Sequence, residues 1–352
     1  MRHFIDFEEM NLDEWKELYA LTRDIMKTPD DFRDALRGKV MASLFFEPST
    51  RTNFSFQAAM QKLGGGVFGF SDSSTSSVSK GEKLKDTIIM CSSYADAIVM
   101  RTPWDGAARA ASLYSSASII NAGDGGHLHP TQTLTDLATI SERRGSPSGM
   151  NIGFCGDLKN GRTVHSLIEA LCRFENVNIF LISPRELALP QYVHEFIRRH
   201  GVRHIETTGL EATLPQLDVL YMTRIQRERF TDQSEYEKHR YVYVLDAGKL
   251  KLARRDMMIM HPLPRVDEIA LDVDGDSRAS YFRQAECGLY VRMALLLKLI
   301  GEGKSQPAYV PPETMAHRCT NPRCITATEK YLPLIDRVGE GVEYCGYCDK
   351  EL

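Results

Sequence analysis

Six arginines stand where apolar runs end: Arg51, Arg101, Arg162, Arg224, Arg229 and Arg265. Guanidinium forks match the oxygens of phosphates and carboxylates. If these six converge, their ligand carries several negative charges, such as a phosphate plus carboxylates. Around the first of them a strand-like run, Val40 to Phe46, stops at Glu47-Pro48. Ser49 then stands where a helix cap is preferred, and helix-competent sequence continues to Lys62 before Gly64-Gly65-Gly66 ends it. A helix start leaves its first N–H groups without partners and favours negative charge, so strand, polar turn and helix make an anion site. The dipole contributes only ~0.3–1 kcal/mol at exposed positions. Ser49, Thr50 and Thr52 add hydroxyls and Arg51 adds a fixed cation. The same residues would also suit an ordinary capped helix carrying one surface arginine.

His129, before Pro130 at another helix entrance, reads either as a hydrogen-bonded structural histidine or as part of an electrophilic clamp with Arg101 and Thr52. Each such donor aimed at a developing oxyanion is worth ~2.7–4 kcal/mol. No Ser/His/Asp order and no covalent nucleophile stands out. The Walker pattern is absent, and Gly153-Phe154-Cys155-Gly156 lacks the dinucleotide-binding glycine spacing. The last tenth of the chain poses a different chemistry. Cys319-x4-Cys324 and Cys345-x2-Cys348, separated by 20 residues, suit a tetrahedral zinc ion with four thiolate ligands and no open position. A redox pair or free thiols are the competing readings. Too short for a core of its own, the segment would draw its folding energy from zinc binding, ~10–16 kcal/mol.

The elements that must hold these residues follow a regular alternation. Residues 11 to 38 read as one or two helices with Asn11 or Asp13 as cap. A possible strand at Phe68 to Phe70 leads into the serine-rich stretch Ser71 to Gly81, either a solvated linker or a functional loop. A helix from Glu82, strands at Ala95 to Met100 and Ser118 to Asn121, and a helix from Thr133 to Arg143 follow. Gly145 to Gly149 is a breaker cluster. The pattern then restarts with a strand at Asn151 to Cys155, a helix at Thr163 to Phe174, and strands at Val177 to Ile182, Asp218 to Met222 and up to Met260. Short apolar strands alternating with helices predict an α/β fold of two doubly wound parallel-sheet domains. The motif residues fall at strand ends, which places the expected active site between the domains.

The expected organisation is residues 1–145, completed by a long apolar helix at about 285–305, then 146–284, a proline-stiffened linker at 306–313, and a four-cysteine domain at 314–352. At 352 residues, a division into domains is natural. A net charge of −4 disfavours nucleic acid as a partner, and no apolar stretch is long enough for a membrane span. Without an apolar signal region at Met1 to Asp6, the expected location is the cytoplasm.

Five runs occur in the order of one family. Phe46-Glu47-Pro48-Ser49-Thr50-Arg51-Thr52 resembles the carbamoyl-phosphate signature of the transcarbamylases. His129 to Gln132, Gly156 to Ser166, Met222 to Arg229 and His261-Pro262-Leu263-Pro264-Arg265 resemble the aspartate carbamoyltransferases in particular, and the likeness spans about residues 1 to 305. Pro262 stands where the ornithine enzymes carry cysteine, and the arginine-rich 223–229 segment suits a dicarboxylate. The resemblance implies that carbamoyl phosphate is held by Ser49, Thr50, Arg51 and Thr52, with Thr52, Arg101 and His129 polarising its carbonyl. It implies Gln132 and the backbone carbonyls of Leu263 and Pro264 at the carbamoyl nitrogen, and Arg162, Arg224 and Gln226 at the aspartate carboxylates. Ser76 and Lys80 would reach a neighbouring subunit's site, Lys80 serving both substrates, which implies a homotrimer. Glu47 and Arg229 would be domain-closure partners.

That family transfers the carbamoyl group to L-aspartate in de novo pyrimidine synthesis without a cofactor. The stretch Cys319 to Glu351 resembles the zinc domain of the regulatory chain that partners such enzymes. Here it would be fused to the catalytic part, and the nucleotide-binding half of that chain is missing. The module is expected to dock on the catalytic surface and influence assembly, including assembly beyond the trimer. Two further readings stand beside this one: a transcarbamylase for another amine, and a zinc-ribbon interaction protein with a degenerate enzyme body.

Overall fold

The computed structural model describes residues 2–225, 243–304, 307, 318–339 and 341–352. Gln226, Arg229 and all of the expected linker except Pro307 lie outside the described residues. The chain divides into two compact units: Met1–Leu134 with Gly288–Leu352, and Thr135–Cys287. The chain crosses from one unit to the other inside two helices rather than inside a loop.

The first unit begins with α1 (Leu12–Lys27), where Asn11 accepts from Asp13 and Glu14 N–H groups and Glu14 answers on the Asn11 N–H, a complete capping box. Its sheet is formed by β1 (Val40–Phe45), β2 (Gly66–Phe70), β3 (Ala97–Thr102) and β4 (Ser118–Asp124), in the order β2-β1-β3-β4, all parallel. Between them run α2 (Thr50–Lys62), α3 (Leu84–Tyr94) and α4 (Ala107–Ser112), and α5 (Pro130–Arg144) follows β4. β1 is buried on both faces, as its unbroken apolar run requires of a central parallel strand. Arg101 lies inside β3 rather than just beyond it, because the strand continues to Thr102. The serine-rich stretch is not featureless. It folds into two 3-10 turns, Ser73–Thr75 and Ser77–Lys80, tied by its own side chains: Asp72 accepts from the Ser74 N–H, and Ser76 and Ser79 donate to the carbonyls of Ser73 and Ser76.

The second unit holds a five-stranded parallel sheet of β5 (Asn151–Cys155), β6 (Asn178–Ile182), β7 (Arg203–Thr207), β8 (Val219–Met222) and β9 (Met258–Met260), ordered β7-β6-β5-β8-β9. The strand order reverses beside β5, which makes the turns after β5 and β8 the place for a ligand in such a sheet. Helices α6 (Arg162–Leu171), α7 (Gln191–Arg199) and α8 (Leu210–Thr213) connect these strands. The long α9 (Tyr281–Gly301) returns the chain to the first unit.

The four-cysteine segment belongs to the first unit. It contains α10 (Ile325–Thr328) and an antiparallel pair, β10 (Asp336–Gly339) and β11 (Val342–Cys345). Its Ile325, Leu332 and Tyr347 share an apolar core with Ala107, Ala108 and Ala111 of α4, so it packs onto its own chain. Asp105 and Cys324 form a strand-like bridge. At Gly106, with φ +80°, a Cβ would lie 2.4 Å from the Tyr347 carbonyl oxygen, so only glycine permits this approach.

Candidate functional site

The strand, turn and helix start expected around Ser49 are present. β1 delivers the chain to Glu47-Pro48, and Ser49 takes the N-cap position of α2. Its hydroxyl makes no capping bond. Arg51 extends from the first turn and forms no ion pair or hydrogen bond among the described residues. Burial alone pulls its guanidinium slightly below the usual arginine range. Thr52 is buried one position further on, and Thr50 is exposed.

Arg101 is held differently. Its Nε donates to Glu47 Oε1 at 2.8 Å and its Nη1 donates to His129 Nε2 at 3.3 Å. A guanidinium has no acceptor, so Nε2 must take the hydrogen bond with its lone pair. β3 and the turn before α5 thus bring Arg101 and His129 together, with Glu47 from the turn after β1. Gln132, in the first turn of α5, donates its N–H to the His129 carbonyl at 2.9 Å. Lys80 is exposed and Ser76 half-buried at the serine-rich turns.

In the second unit, Arg162 opens α6 and Arg224 follows β8. Their turns meet closely: at Gly156, with φ +121°, a Cβ would lie 2.3 Å from the Thr223 carbonyl. Thr223 also donates from its N–H and Oγ1 to the Cys155 carbonyl, at 2.8 and 3.1 Å. His165 braces the same turn, with Nε2 donating to the Leu158 carbonyl at 2.7 Å and Nδ1 accepting from Tyr192 at 2.8 Å. Burial pulls His165 below the usual histidine range, against the pull of the Leu158 bond.

The turn after β9, whose His261 and Arg265 the sequence singles out, is locked by partners it did not reveal: Glu268, Asp274 and Tyr281. His261 Nδ1 accepts from the Leu263 N–H at 2.7 Å and Nε2 donates to Glu268 at 2.7 Å. Glu268 also accepts from the Val266 and Asp267 N–H groups. Burial pushes its carboxyl up, but these donors win and hold it below the usual carboxylate range. Leu263 sits at φ +54°, a left-handed conformation costing a leucine ~1–3 kcal/mol, so the His261 bond fixes a strained backbone. Arg265 pairs with Asp274, which also accepts from Tyr281. Glu268 and Asp274 stand 7 and 9 residues after the histidine and arginine they hold, a separation with no periodic signal.

The cysteine cluster is compact. The four Sγ atoms lie within 4.8 Å of one another, with 3.5 Å from Cys319 to Cys348 and 3.8 Å from Cys324 to Cys345. A tetrahedral zinc with thiolates ~2.3 Å away needs edges of about 3.8 Å, so the donor set fits that ion. Asn321 N–H donates to Cys319 Sγ and Thr326 Oγ1 to Cys324 Sγ, which favours thiolate character. The module clasps the turn before His129: His127 bridges Asp124 at 3.1 Å and Asp349 at 2.9 Å. It also caps α3, since Glu329 accepts from the Leu84 N–H and Tyr331 from the Lys85 N–H. Among the described residues no helix is long and apolar enough to cross a membrane.

Comparisons with known proteins agree with this geometry. Residues 2–142 match the family model described as the carbamoyl-P binding domain of aspartate/ornithine carbamoyltransferase, and residues 148–299 match its Asp/Orn binding domain. The aspartate carbamoyltransferase catalytic subunit of a Clostridium perfringens strain is 56% identical over 302 residues, covering 86% of this chain and 98% of the relative. That of Clostridium kluyveri is 50% identical over 300 residues, with 85% and 98% covered. Among solved structures, the catalytic subunit of M. jannaschii aspartate transcarbamoylase has a TM-score of 0.82 at 47% identity, covering 86% of this chain and 99% of that one. The Trypanosoma cruzi aspartate transcarbamoylase in complex with N-(phosphonacetyl)-L-aspartic acid has a TM-score of 0.80 at 39% identity, with 85% and 95% covered. The chain belongs to the aspartate/ornithine carbamoyltransferase family.

Proposed function

We infer that the protein is an aspartate-specific carbamoyltransferase, moving the carbamoyl group of carbamoyl phosphate to the α-amine of L-aspartate to give N-carbamoyl-L-aspartate and phosphate. The reading places it in de novo pyrimidine synthesis in the cytoplasm. The observation that carries it is the N-terminus of α2, where an uncapping Ser49 and an Arg51 without a carboxylate partner among the described residues present a ready anion site. Ser49, Thr50, Arg51 and Thr52 hold the phosphate. Thr52, Arg101 and His129 polarise the carbonyl, and Arg101 exchanges Glu47 for the ligand. Gln132 and the carbonyls of Leu263 and Pro264 orient the carbamoyl nitrogen. Arg162, Arg224 and Gln226 take the aspartate carboxylates. The neutral amine attacks the carbonyl carbon, and the departing phosphate accepts the amine proton. Proximity supplies much of the acceleration, and no cofactor takes part in the chemistry.

Phosphate release that requires both carbamoyl phosphate and L-aspartate, and fails with L-ornithine, is the expected result. Equal rates with ornithine or other amines would overturn the aspartate assignment.

The assembly extends the proposal. A homotrimer in which Ser76 and Lys80 complete a neighbour's site should let inactive Lys80→Ala and Arg51→Ala chains regain activity when mixed. No recovery, with subunit exchange demonstrated, would refute sharing. The cysteine module holds structural zinc through Cys319, Cys324, Cys345 and Cys348, and its fusion to the catalytic part serves assembly. A chelator-stripped protein should change in assembly mass; an unchanged mass would contradict that role.

A further inference from the structure

β7 is an edge strand of the second sheet, and α7 packs beside it with Val193 and Ile197 buried. Strand alternation places His204 and Glu206, two residues apart, on one face of β7. α7 turns His194 onto them. His194 Nδ1 lies 3.4 Å from His204 Nε2, and its Nε2 lies 3.6 Å from Glu206 Oε1. One ligand atom from each of the three residues falls within 4.8 Å of the other two. The two imidazoles stand with ring centroids 5.3 Å apart, their planes inclined by 43°.

A zinc ion about 2.0–2.1 Å from nitrogen ligands leaves tetrahedral neighbours about 3.3 Å apart, and the two histidines already have that spacing. Glu206 Oε1 faces the other nitrogen of His194, Nε2, and one ring gives an ion only one nitrogen; the Glu206 side chain is 56% exposed, so it can rotate to the Nδ1 side where His204 lies. Two imidazoles and a carboxylate suit zinc or another first-row divalent ion, whereas magnesium and calcium prefer oxygen alone. Three protein ligands leave a position for water. Arg198 disfavours a cation nearby, but its Nε donates to the His194 carbonyl and its Nη2 faces Glu195.

We propose that His194, His204 and Glu206 form a second metal site, for zinc or a chemically similar divalent ion, that pins edge strand β7 to α7. It shares no residue with the four-cysteine module. The test uses the full chain with its cysteine module already loaded with zinc, titrated with Co2+ and followed by dialysis and absorption. One additional equivalent is expected, with weak d–d bands and no sulfur-to-metal charge transfer. His204→Ala should lose that equivalent while keeping the cysteine-bound zinc and the full rate of carbamoyl transfer. Added Zn2+ should raise the unfolding temperature of the unsubstituted protein and not of the variant. Should His204→Ala fold poorly, the exposed Glu206→Gln gives the same comparison with a weakened rather than abolished equivalent. No additional equivalent, or one bound equally by the substituted and unsubstituted chains, overturns the proposal.

Discussion

The turn after β1 and the turn after β9 both carry arginine and end a parallel strand, yet they use charge in opposite ways. At the first, among the described residues, Arg51 has no carboxylate partner and the Ser49 hydroxyl makes no capping bond. At the second, Arg265 is bound by Asp274 and His261 by Glu268. Charge at the first turn is available to a ligand; charge at the second is consumed in fixing the backbone of Leu263.

The contrast can be broken from either side. The largest effect is expected at Arg51. Arg51→Ala should reduce kcat by about 10²–10³, ~2.7–4 kcal/mol, with unchanged far-UV circular dichroism and unfolding temperature. Steady-state assays showing most turnover retained would remove the ligand-facing role.

Glu268→Gln should act on the scaffold first, costing ~1.5–3 kcal/mol of stability through the lost charge-assisted bond to His261. It carries a pH signature. The folded-state ionisation of Glu268 lies below its ordinary value of 4.5, so the stability it contributes is complete above that value. That stability disappears as pH falls through the lower folded-state value. Denaturant titrations at a series of acid pH values should show this loss in the unsubstituted protein and a flatter profile in Glu268→Gln. Identical profiles would mean that Glu268 does not support the turn.

The smallest effect belongs to Asp274→Asn, whose partly exposed pair with Arg265 should be worth about 1 kcal/mol or less. If this variant instead matched Arg51→Ala in kcat, Arg265 would have to be counted among the ligand-facing groups.

The four cysteines make the same point from the other extreme. Their sulfur atoms converge with neutral donors around them, an arrangement that could hold a metal ion. Their spacing was legible in the chain because a shared metal ion demands short loops between its ligands. Where the module would attach was not, because its contacts with Gly106, His127 and Leu84 join residues more than 200 positions apart.

Residue order by itself determined the alternation of strands and helices, the anion turn at Ser49 to Thr52 and the cysteine set. Each is a local pattern: periodicity, an unsatisfied helix start, a ligand spacing. The short edge strand β7, with its exposed and half-buried alternation, escaped that reading because an edge strand carries no continuous apolar run. Tertiary structure decided which charges are spent and which remain. Arg51, Arg101 and Arg265 are alike as letters, but only folding sets Glu47 beside Arg101, Asp274 beside Arg265 and, among the described residues, no carboxylate beside Arg51. Electrostatic interaction depends on separation in space, and separation along the chain does not report it.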